Sequence, residues 1–222
     1  MLLLHRGVPT GAYAERTIAA YRVHAGKAIR NWSRGKPSRF LRKFSGAISS
    51  SRRVSPHGAS PRVLDYGCGV GTELAWLRRQ GFQAEGMDGA LEFVQQARKR
   101  CSGAPIRHVR FETARLPENR YDGIWCNAAL IHVPPEELSR QLEKLRRALR
   151  PNGVLGLTLV WGSRKGFLHR DWIPGRYIAG YAKAETAAFF RSWKVHSIQV
   201  VRGDGRHGRW VQIMAYPLPF MS

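Results

Sequence analysis

One glycine-rich segment limits the fold of this chain more than any other feature. The apolar run Arg62–Tyr66 is followed at once by three glycines at alternate positions, Gly67, Gly69 and Gly71, and then by a helical pattern over Thr72–Arg79. A strand that ends in a glycine-rich turn and continues into a helix brings bare backbone close to a ligand, and the helix N-terminus adds partial positive charge. The segment therefore predicts a strand–loop–helix unit that binds a ligand.

Short apolar runs alternate with helical patterns along the rest of the chain, as in a parallel sheet with crossover helices. Further strands are predicted over 84–88, 107–112, 121–127, 154–160, 194–201 and 209–216, and further helices over 91–100, from 134 to about 149, and over 183–191. The last two strands flank a tight turn and follow five strands joined by crossovers. This order predicts an α/β fold with a seven-stranded, mostly parallel sheet and one antiparallel strand in a C-terminal hairpin.

Residues 1–60 differ from the remainder in charge and composition. They hold twelve Lys and Arg residues and a single acidic residue, Glu15, so about half of the net charge of +22 lies there. Residues 13–32 are predicted to form one or two amphipathic helices, whereas 45–61, rich in Ser, Gly, Arg and Pro, are predicted to be a linker or mobile loop. We therefore divide the chain into a basic N-terminal region, 1–60, and a ligand-binding domain, 61–222.

The remaining composition argues against several classes of protein. The chain has no apolar run of the length that a signal peptide or a membrane span requires. Its three cysteines, Cys68, Cys101 and Cys126, are widely spaced and form neither a CxxC pair nor a cluster with histidine. We therefore expect a soluble, cytoplasmic protein with no membrane partner and no metal.

Two details of the glycine loop indicate the kind of ligand. Thr72 stands where the dinucleotide fingerprint GxGxxG requires its third glycine, which disfavours an NAD-dependent oxidoreductase. Asp65 lies two residues before the first glycine, where a phosphate site would not place a carboxylate, and no GK[ST] of a P-loop follows. The loop therefore favours a ligand with a cationic part.

Residues 63–72 resemble the first motif of the class I S-adenosylmethionine-dependent methyltransferases, and the likeness extends over about 60–160. It implies a Rossmann-like three-layer α/β/α sandwich and S-adenosylmethionine as the cofactor of a methyltransferase. In that family the loop packs against the methionine part of the cofactor, and the acid at the Asp65 position helps to hold its ammonium group. The loop positions so implied are Gly67, Cys68, Gly69 and Gly71.

Three later positions agree with the same resemblance. Asp88 ends the second strand and is followed by Gly89, and an acid there can accept hydrogen bonds from both ribose hydroxyls. Glu112, with its neighbour Thr113, lies four residues before Leu-Pro, in the segment that contacts the adenine edge in the family. Asn127 is predicted at the carboxyl end of the fourth strand, where the family binds the cofactor beside the transferred methyl group.

The chemistry places few demands on the protein. Methyl transfer is an in-line displacement at an activated carbon, and a base is needed only when the acceptor must lose a proton. His132, which follows the fourth strand, is our candidate for a catalytic base or an acceptor-orienting residue, and the alternative is that it only fixes the loop over 130–135. Trp161 and Arg176 are candidates for contacting the acceptor.

By analogy with the family, residues 1–60 are expected to form a helical lid over cofactor and acceptor. Tyr13, Tyr21, Arg30 and Trp32 are the candidates for lining it, and Tyr21 is a candidate for contacting the acceptor. The basic residues around Arg176 would suit an anionic acceptor, although a solvated basic loop is the favoured interpretation.

Three hypotheses for the acceptor remain. The first is a small molecule, with anionic ones included, methylated at O, N or C. The second is RNA or another polyanion, bound by the basic residues 1–60, although 127–130 lack the Asn/Asp-Pro-Pro-aromatic signature of nucleic-acid amino methyltransferases and no RNA-binding module is recognisable. The third is an inactive, cofactor-binding partner subunit. The small-molecule hypothesis is favoured.

Overall fold

The computed structural model describes residues 12–52, 60–203 and 208–218. Within them the helices are α1 (Ala12–Val23), α2 (Ala25–Trp32), α3 (Arg39–Arg52), α4 (Thr72–Arg79), α5 (Leu91–Arg100), α6 (Pro135–Ala148) and α7 (Lys183–Ala188). The strands are β1 (Arg62–Tyr66), β2 (Gln83–Asp88), β3 (Ile106–His108), β4 (Tyr121–Cys126), β5 (Leu149–Trp161), β6 (Lys165–Phe167), β7 (Tyr177–Tyr181), β8 (Trp193–Arg202) and β9 (Arg209–Pro217).

The predicted sheet is confirmed. Strands β3, β2, β1, β4 and β5 pair in that order and run parallel. Strand β9 then pairs with β5 in antiparallel register, and β8 pairs with β9 as the other arm of the C-terminal hairpin. One buried apolar cluster joins the sheet to α6, and a second joins its other face to α3, α4 and α5, so the sheet lies between two helical layers.

A small strand pair was not predicted. The polar connection after β5 contains β6 and β7, which are antiparallel to each other, and β7 adds to the end of β5 at Val160 and Trp161. All five residues of β7 are buried, so this segment packs as part of the core although the residues before it are polar.

The third strand is shorter than its sequence pattern predicts. It ends at His108, whereas the pattern extends to residue 112. After the amide of Val109 donates to the carbonyl of Asp88, the chain turns, and the amide of Ala114 donates to the carbonyl of Arg110. The turn takes 110–112 out of the sheet and onto its carboxyl edge.

Helix α3 replaces part of the predicted linker. The prediction of a linker over 45–61 is wrong for 45–52, which continue α3, and residues 53–59 lie outside the described part of the chain. Phe44 and Ile48 of α3 are buried against the sheet, and a Cβ on Gly123 of β4 would come within 2.4 Å of the Ile48 side chain. The helix can lie this close because the sheet presents glycine beneath it.

We expect Ile48→Val to lower the free energy of unfolding by about 1 kcal/mol, because the side chain is fully buried and loses one methyl group. Val23→Ala on α1 is the control, since its side chain is 75% exposed and should change stability by less than about 0.5 kcal/mol. Denaturant unfolding of both variants measures the difference. Equal stabilities would show that α3 does not pack on the sheet in solution.

The N-terminal residues form two helices, as the pattern over 13–32 predicts, with a break at His24 between α1 and α2. Tyr13, Thr17 and Tyr21 of α1 face inward and are buried. Among the described residues, no helix is both long and apolar enough to cross a bilayer.

Candidate functional site

A cavity of about 580 Å³ lies at the carboxyl edge of the parallel strands. Its walls come from the loops that follow β1, β2 and β4, and α1 and α2 close it from above. Strand β1 lies between β2 and β4, so the direction of the chain across the sheet reverses there. Ligands of open α/β sheets bind at this reversal point, so the cavity is the candidate active site.

The glycine loop forms the floor of this cavity. Gly67 has φ +85°, and a Cβ there would lie 2.4 Å from the Cβ of Ala129, so the loop after β4 excludes any side chain. Gly69 has φ +50°, lines the cavity, and would have no atom within 4 Å of an added Cβ. The loop thus presents bare backbone to open space, as a bound cofactor requires.

Asp88 holds the loop from the end of β2. Its Oδ2 accepts a hydrogen bond of 2.9 Å from the amide of Gly69, and its Oδ1 accepts one of 2.8 Å from the amide of Ala90. Burial raises the pKa of Asp88, and the amides of Ala90 and Gly69 oppose that rise. The backbone amide of Gly89 also donates to this carboxylate, and Asp88 and Gly89 both lie on the cavity wall.

Asp65 lies beneath the loop. It is 2% exposed and is absent from the cavity wall of the described chain. The backbone amide of Leu74 donates to its carboxylate, whereas Oδ2 has no hydrogen-bond partner among the described residues. Burial, together with the nearby charges of Glu73 and Asp88, raises the pKa of Asp65 well above its usual range. The carboxylate therefore supports the first turn of α4 from below.

The segment after β3 forms one end of the cavity. Phe111 and Glu112 lie on its wall, and the Phe111 ring stacks on Tyr66 at a centroid distance of 4.6 Å. The hydroxyl of Tyr13 donates to Oε1 of Glu112 over 2.9 Å, which ties α1 to this segment. Thr113 is exposed and lines a separate shallow depression outside the cavity.

A polar network lies where β4 and β5 end. The amide nitrogen of Asn127 donates to the carboxylate of Glu73 at 3.1 and 3.2 Å, and Oδ1 of Asn127 accepts from the Thr158 hydroxyl over 2.7 Å. The indole of Trp125 donates to Glu73 over 2.7 Å, and the amide of Ala128 donates to Thr158 over 2.8 Å. These bonds fix the orientation of the Asn127 side chain.

Tyr21 and His132 form a hydrogen-bonded pair on the same wall. Nδ1 of His132 lies 2.7 Å from the carbonyl of Tyr177, and because a carbonyl only accepts, Nδ1 carries the proton. Nε2 of the neutral ring then accepts from the Tyr21 hydroxyl over 2.8 Å. The Arg176 guanidinium donates to the same hydroxyl oxygen over 3.0 Å. The proton of Tyr21 is thereby directed toward His132.

Arg176 is buried, at 2% exposure, and forms an ion pair with Asp171. Burial raises the pKa of Tyr21, and the Arg176 guanidinium opposes that rise. Tyr21 is therefore neutral in the resting protein and its hydroxyl is ordered by both neighbours.

Aromatic side chains surround this pair. The ring of Tyr21 lies 5.3 Å from Phe93 and 5.8 Å from Trp32, and Trp32 lies 5.6 Å from Trp172. All four line the cavity, and they come from α1, α2, α5 and the loop before β7. The N-terminal helices are thus attached to the sheet domain through the cavity wall.

Most of the predicted site residues line the cavity, and four do not. The cavity wall includes the ten residues Gly67, Cys68, Gly69, Asp88, Gly89, Glu112, Asn127, His132, Tyr21 and Arg176. The wall of the described chain does not include Asp65, Gly71, Thr113 and Trp161. The Trp161 side chain is 39% exposed with Arg209 over its ring, and Gly71 faces Ala97 of α5. Tyr13 and Trp32 line the cavity as predicted for the lid, whereas Arg30 is exposed.

The wall also contains residues that the sequence pattern did not indicate. Glu73, Phe93, Thr158 and Trp172 are the principal ones. Glu73 lies in the first turn of α4, where an acid is usually explained by the helix dipole, and this ordinary explanation hides its position in the cavity. Thr158 is the one polar residue in the apolar run 154–160, which was the one available signal.

The chain is similar to known methyltransferases. A family model described as a methyltransferase domain matches residues 63–153. A malonyl-[acyl-carrier protein] O-methyltransferase from Pseudescherichia vulneris is 26% identical over 150 residues, which are 64% of this chain and 59% of that protein. An uncharacterized methyltransferase from Mycobacterium tuberculosis is 35% identical over 116 residues, 50% of this chain and 58% of that protein. The chain thus spans less than two thirds of the length of either relative.

A solved structure extends the likeness to nearly the whole fold. The Burkholderia thailandensis 1,6-didemethyltoxoflavin-N1-methyltransferase, crystallised with 1,6-didemethyltoxoflavin and S-adenosylhomocysteine, matches with a TM-score of 0.71 over 96% of this chain and 92% of that chain. At 19% identity this match shows the fold alone. Together, the matched domain, the strand order and the glycine loop support assignment of the chain to the class I S-adenosylmethionine-dependent methyltransferase family, with S-adenosylmethionine as the cofactor.

Proposed function

We propose that this protein transfers the methyl group of S-adenosylmethionine to a small-molecule acceptor that loses a proton to Tyr21 and His132. The observation that carries this proposal is the hydrogen-bonded pair of Tyr21 and His132 on the wall of the cofactor cavity. The pair supports a catalytic role over that of an inactive partner subunit, because its hydrogen bonds match those that a proton relay needs.

The residues that would hold the cofactor are found among those that line the cavity. We infer that the carboxylate of Asp88 accepts from the ribose hydroxyls and that the bare backbone of Gly67 and Gly69 packs against the methionine part. Phe111 and Glu112 would then lie at the adenine end, since β3, which they follow, is the strand beyond β2. Asn127, at the end of β4, would lie beside the methionine part of the cofactor.

The acidic side chains around the cavity support binding of this cofactor. Asp65, Glu73 and Asp88 surround the glycine loop, although the chain as a whole has a net charge of +22. Among the described residues no lysine or arginine forms an ion pair with any of the three. A bound cation would favour the ionised form of these carboxyl groups, so their grouping suits a cationic ligand.

The catalytic step uses Tyr21 and His132 in sequence. When bound, S-adenosylmethionine supplies a methyl group that its positively charged sulfur activates. Arg176 occupies one lone pair of the Tyr21 oxygen, and the second accepts the N–H or O–H proton of the acceptor. Tyr21 passes its own proton to Nε2 of His132, and the resulting imidazolium is stabilised by the carbonyl of Tyr177 on Nδ1.

Tyr21 acts through this relay because it is neutral at rest. Burial raises its pKa, so a tyrosinate would not persist in the cavity before the acceptor binds. His132 therefore receives the proton last, and Tyr21 is the group that contacts the methyl acceptor. This refines the sequence-based hypothesis, in which His132 alone was the candidate base.

Three features support a small-molecule acceptor. The cavity is covered by α1 and α2, its volume is about 580 Å³, and part of that volume belongs to the cofactor. The Pseudescherichia relative is named for malonyl-[acyl-carrier protein], and the Burkholderia structure contains 1,6-didemethyltoxoflavin. RNA, bound by the basic N-terminal helices, is the alternative.

Calorimetric titration with S-adenosylmethionine, S-adenosylhomocysteine and NAD tests the cofactor assignment. We expect the first two to bind at one site per chain and NAD to show no binding, because Thr72 and Asp65 do not suit a pyrophosphate. Radiolabelled S-adenosylmethionine, incubated separately with a small-molecule extract and with total RNA, tests the acceptor. Label in the small-molecule fraction supports the proposal, and label only in RNA would refute it.

A further inference from the structure

Glu73 is a cavity residue to which neither the family resemblance nor the comparisons assign a role. Its carboxylate accepts from the Trp125 indole and from the Asn127 amide, both of which are neutral donors. It lines the cavity beside Asn127 and Thr158, in the first turn of the helix that follows the glycine loop. The carboxylate is thus held in one orientation at the cavity wall.

The charge of Glu73 is not balanced by the described part of the protein. Residues 12–52, 60–203 and 208–218 supply no lysine, arginine or histidine that forms an ion pair with it. Burial raises its pKa, and the two hydrogen bonds only partly oppose the rise. A carboxylate removed from water is normally paired with a cation, so Glu73 is a position at which a cationic ligand group gains free energy.

The position of Glu73 along the sheet indicates which ligand group this is. Asp88 ends β2 and Asn127 follows β4, and β1 lies between them, so the two ends are separated by two strand spacings, about 10 Å. The sulfur of S-adenosylmethionine is bonded to C5′ of the ribose, whereas its amino group is at the far end of the amino-acid tail. With the ribose at Asp88, the tail reaches Asn127 and Glu73.

We propose that Glu73 binds the positively charged amino group of the cofactor's methionine tail, and that this residue rather than Asp65 supplies the direct ionic contact. The proposal rests on the ribose position given under the proposed function. Asp65 is 2% exposed beneath the loop, so it acts on the ligand only through α4, whereas Glu73 lies on the cavity wall.

Glu73→Gln tests this proposal, because glutamine has the same shape and lacks the charge. We expect affinity for S-adenosylmethionine and for S-adenosylhomocysteine to fall about tenfold, since both carry the amino-acid tail. Affinity for 5′-methylthioadenosine, which lacks the tail, should stay within about twofold of that of the wild type. Calorimetric titration measures all three, and thermal unfolding without ligand checks that the variant is folded.

Glu92→Gln is the matched control. Glu92 is the first-turn acid of α5, as Glu73 is of α4, and it is not on the cavity wall. All three ligands should bind this control as they bind the wild type. Should Glu73→Gln unfold, Glu73→Asp retracts the carboxylate by one methylene, and the same two ligands should weaken while 5′-methylthioadenosine does not.

Two results would overturn the proposal. Equal weakening of 5′-methylthioadenosine would mean that Glu73 only shapes the loop through Asn127. Unchanged affinity for S-adenosylhomocysteine would mean that the amino group lies elsewhere, whether or not S-adenosylmethionine weakens. Failure of the cofactor assignment is distinguishable, because the wild type itself would then bind neither tailed ligand, and failure of the acceptor assignment would leave all of these affinities unchanged.

Discussion

Asp88→Ala is expected to weaken binding of S-adenosylmethionine at least about 100-fold. The variant removes the carboxylate that we assign to the ribose hydroxyls, and each charge-assisted hydrogen bond contributes about 1.5–3 kcal/mol. It also removes the acceptors of the Gly69 and Ala90 amides, so the glycine loop loses its attachment to β2. Calorimetric titration with S-adenosylmethionine and S-adenosylhomocysteine measures the loss.

Asp122→Ala is the control for this experiment. Asp122 opens β4 at the opposite edge of the sheet, where it accepts from the Arg62 amide and pairs with Arg150. Its removal should lower stability and leave cofactor affinity unchanged. If folded Asp88→Ala bound the cofactor within about threefold of the wild type, the ribose would have to lie at another place on the cavity wall.

Tyr21→Phe is expected to lower kcat about 100-fold or more, with cofactor affinity unchanged, because the oxygen that receives the acceptor's proton is lost. His132→Ala should produce a similar loss, since the relay needs both residues. The double variant should be no slower than the slower single variant, because residues that act as a unit are not additive. Steady-state kinetics with the acceptor found in the radiolabel assay measures these rates.

Tyr216→Phe makes the same chemical change on β9, away from the cavity wall, and should retain wild-type kcat. A Tyr21→Phe variant that kept most of its kcat would contradict the relay. Such a result would reduce the Tyr21–His132 pair to a structural link between α1 and the segment after β4.

The strands and the helices between them could be predicted from the sequence because their signals are local. Buried parallel strands are short apolar runs, and the glycine loop fixes where the first of them ends. Strand β1 and helices α4 and α5 have the predicted bounds. The third strand is shorter than predicted, because its end is set by a backbone hydrogen bond from Val109 to Asp88, which lies 21 residues earlier in the chain.

Helix α3 could not be predicted for a related reason. Its serines and its glycine have weak helix propensity, and only burial of Leu41, Phe44 and Ile48 against the sheet offsets that weakness. The glycines that receive this helix, Gly123 and Gly156, are distant in sequence. Propensity describes the segment alone, whereas packing depends on a partner that the segment does not reveal.

Within the site, the sequence determined the residues whose function depends on backbone geometry. Three glycines with positive φ after an apolar strand, and an acid at the end of the next strand, are local requirements of a cofactor loop, and the loop lies where they predict. These glycines and this acid indicate the class I family and S-adenosylmethionine.

Only the tertiary structure decided how side chains from distant segments meet. Tyr21 and His132 are 111 residues apart, and Tyr21 and Arg176 are 155 apart, so no spacing rule connects them. Arg176, for which the sequence favoured a solvated basic loop, is buried, and Glu73 rather than Asp65 lies on the cavity wall. The physical reason is the same in each case: a side chain's chemistry is set by what surrounds it, and the surroundings come from other parts of the chain.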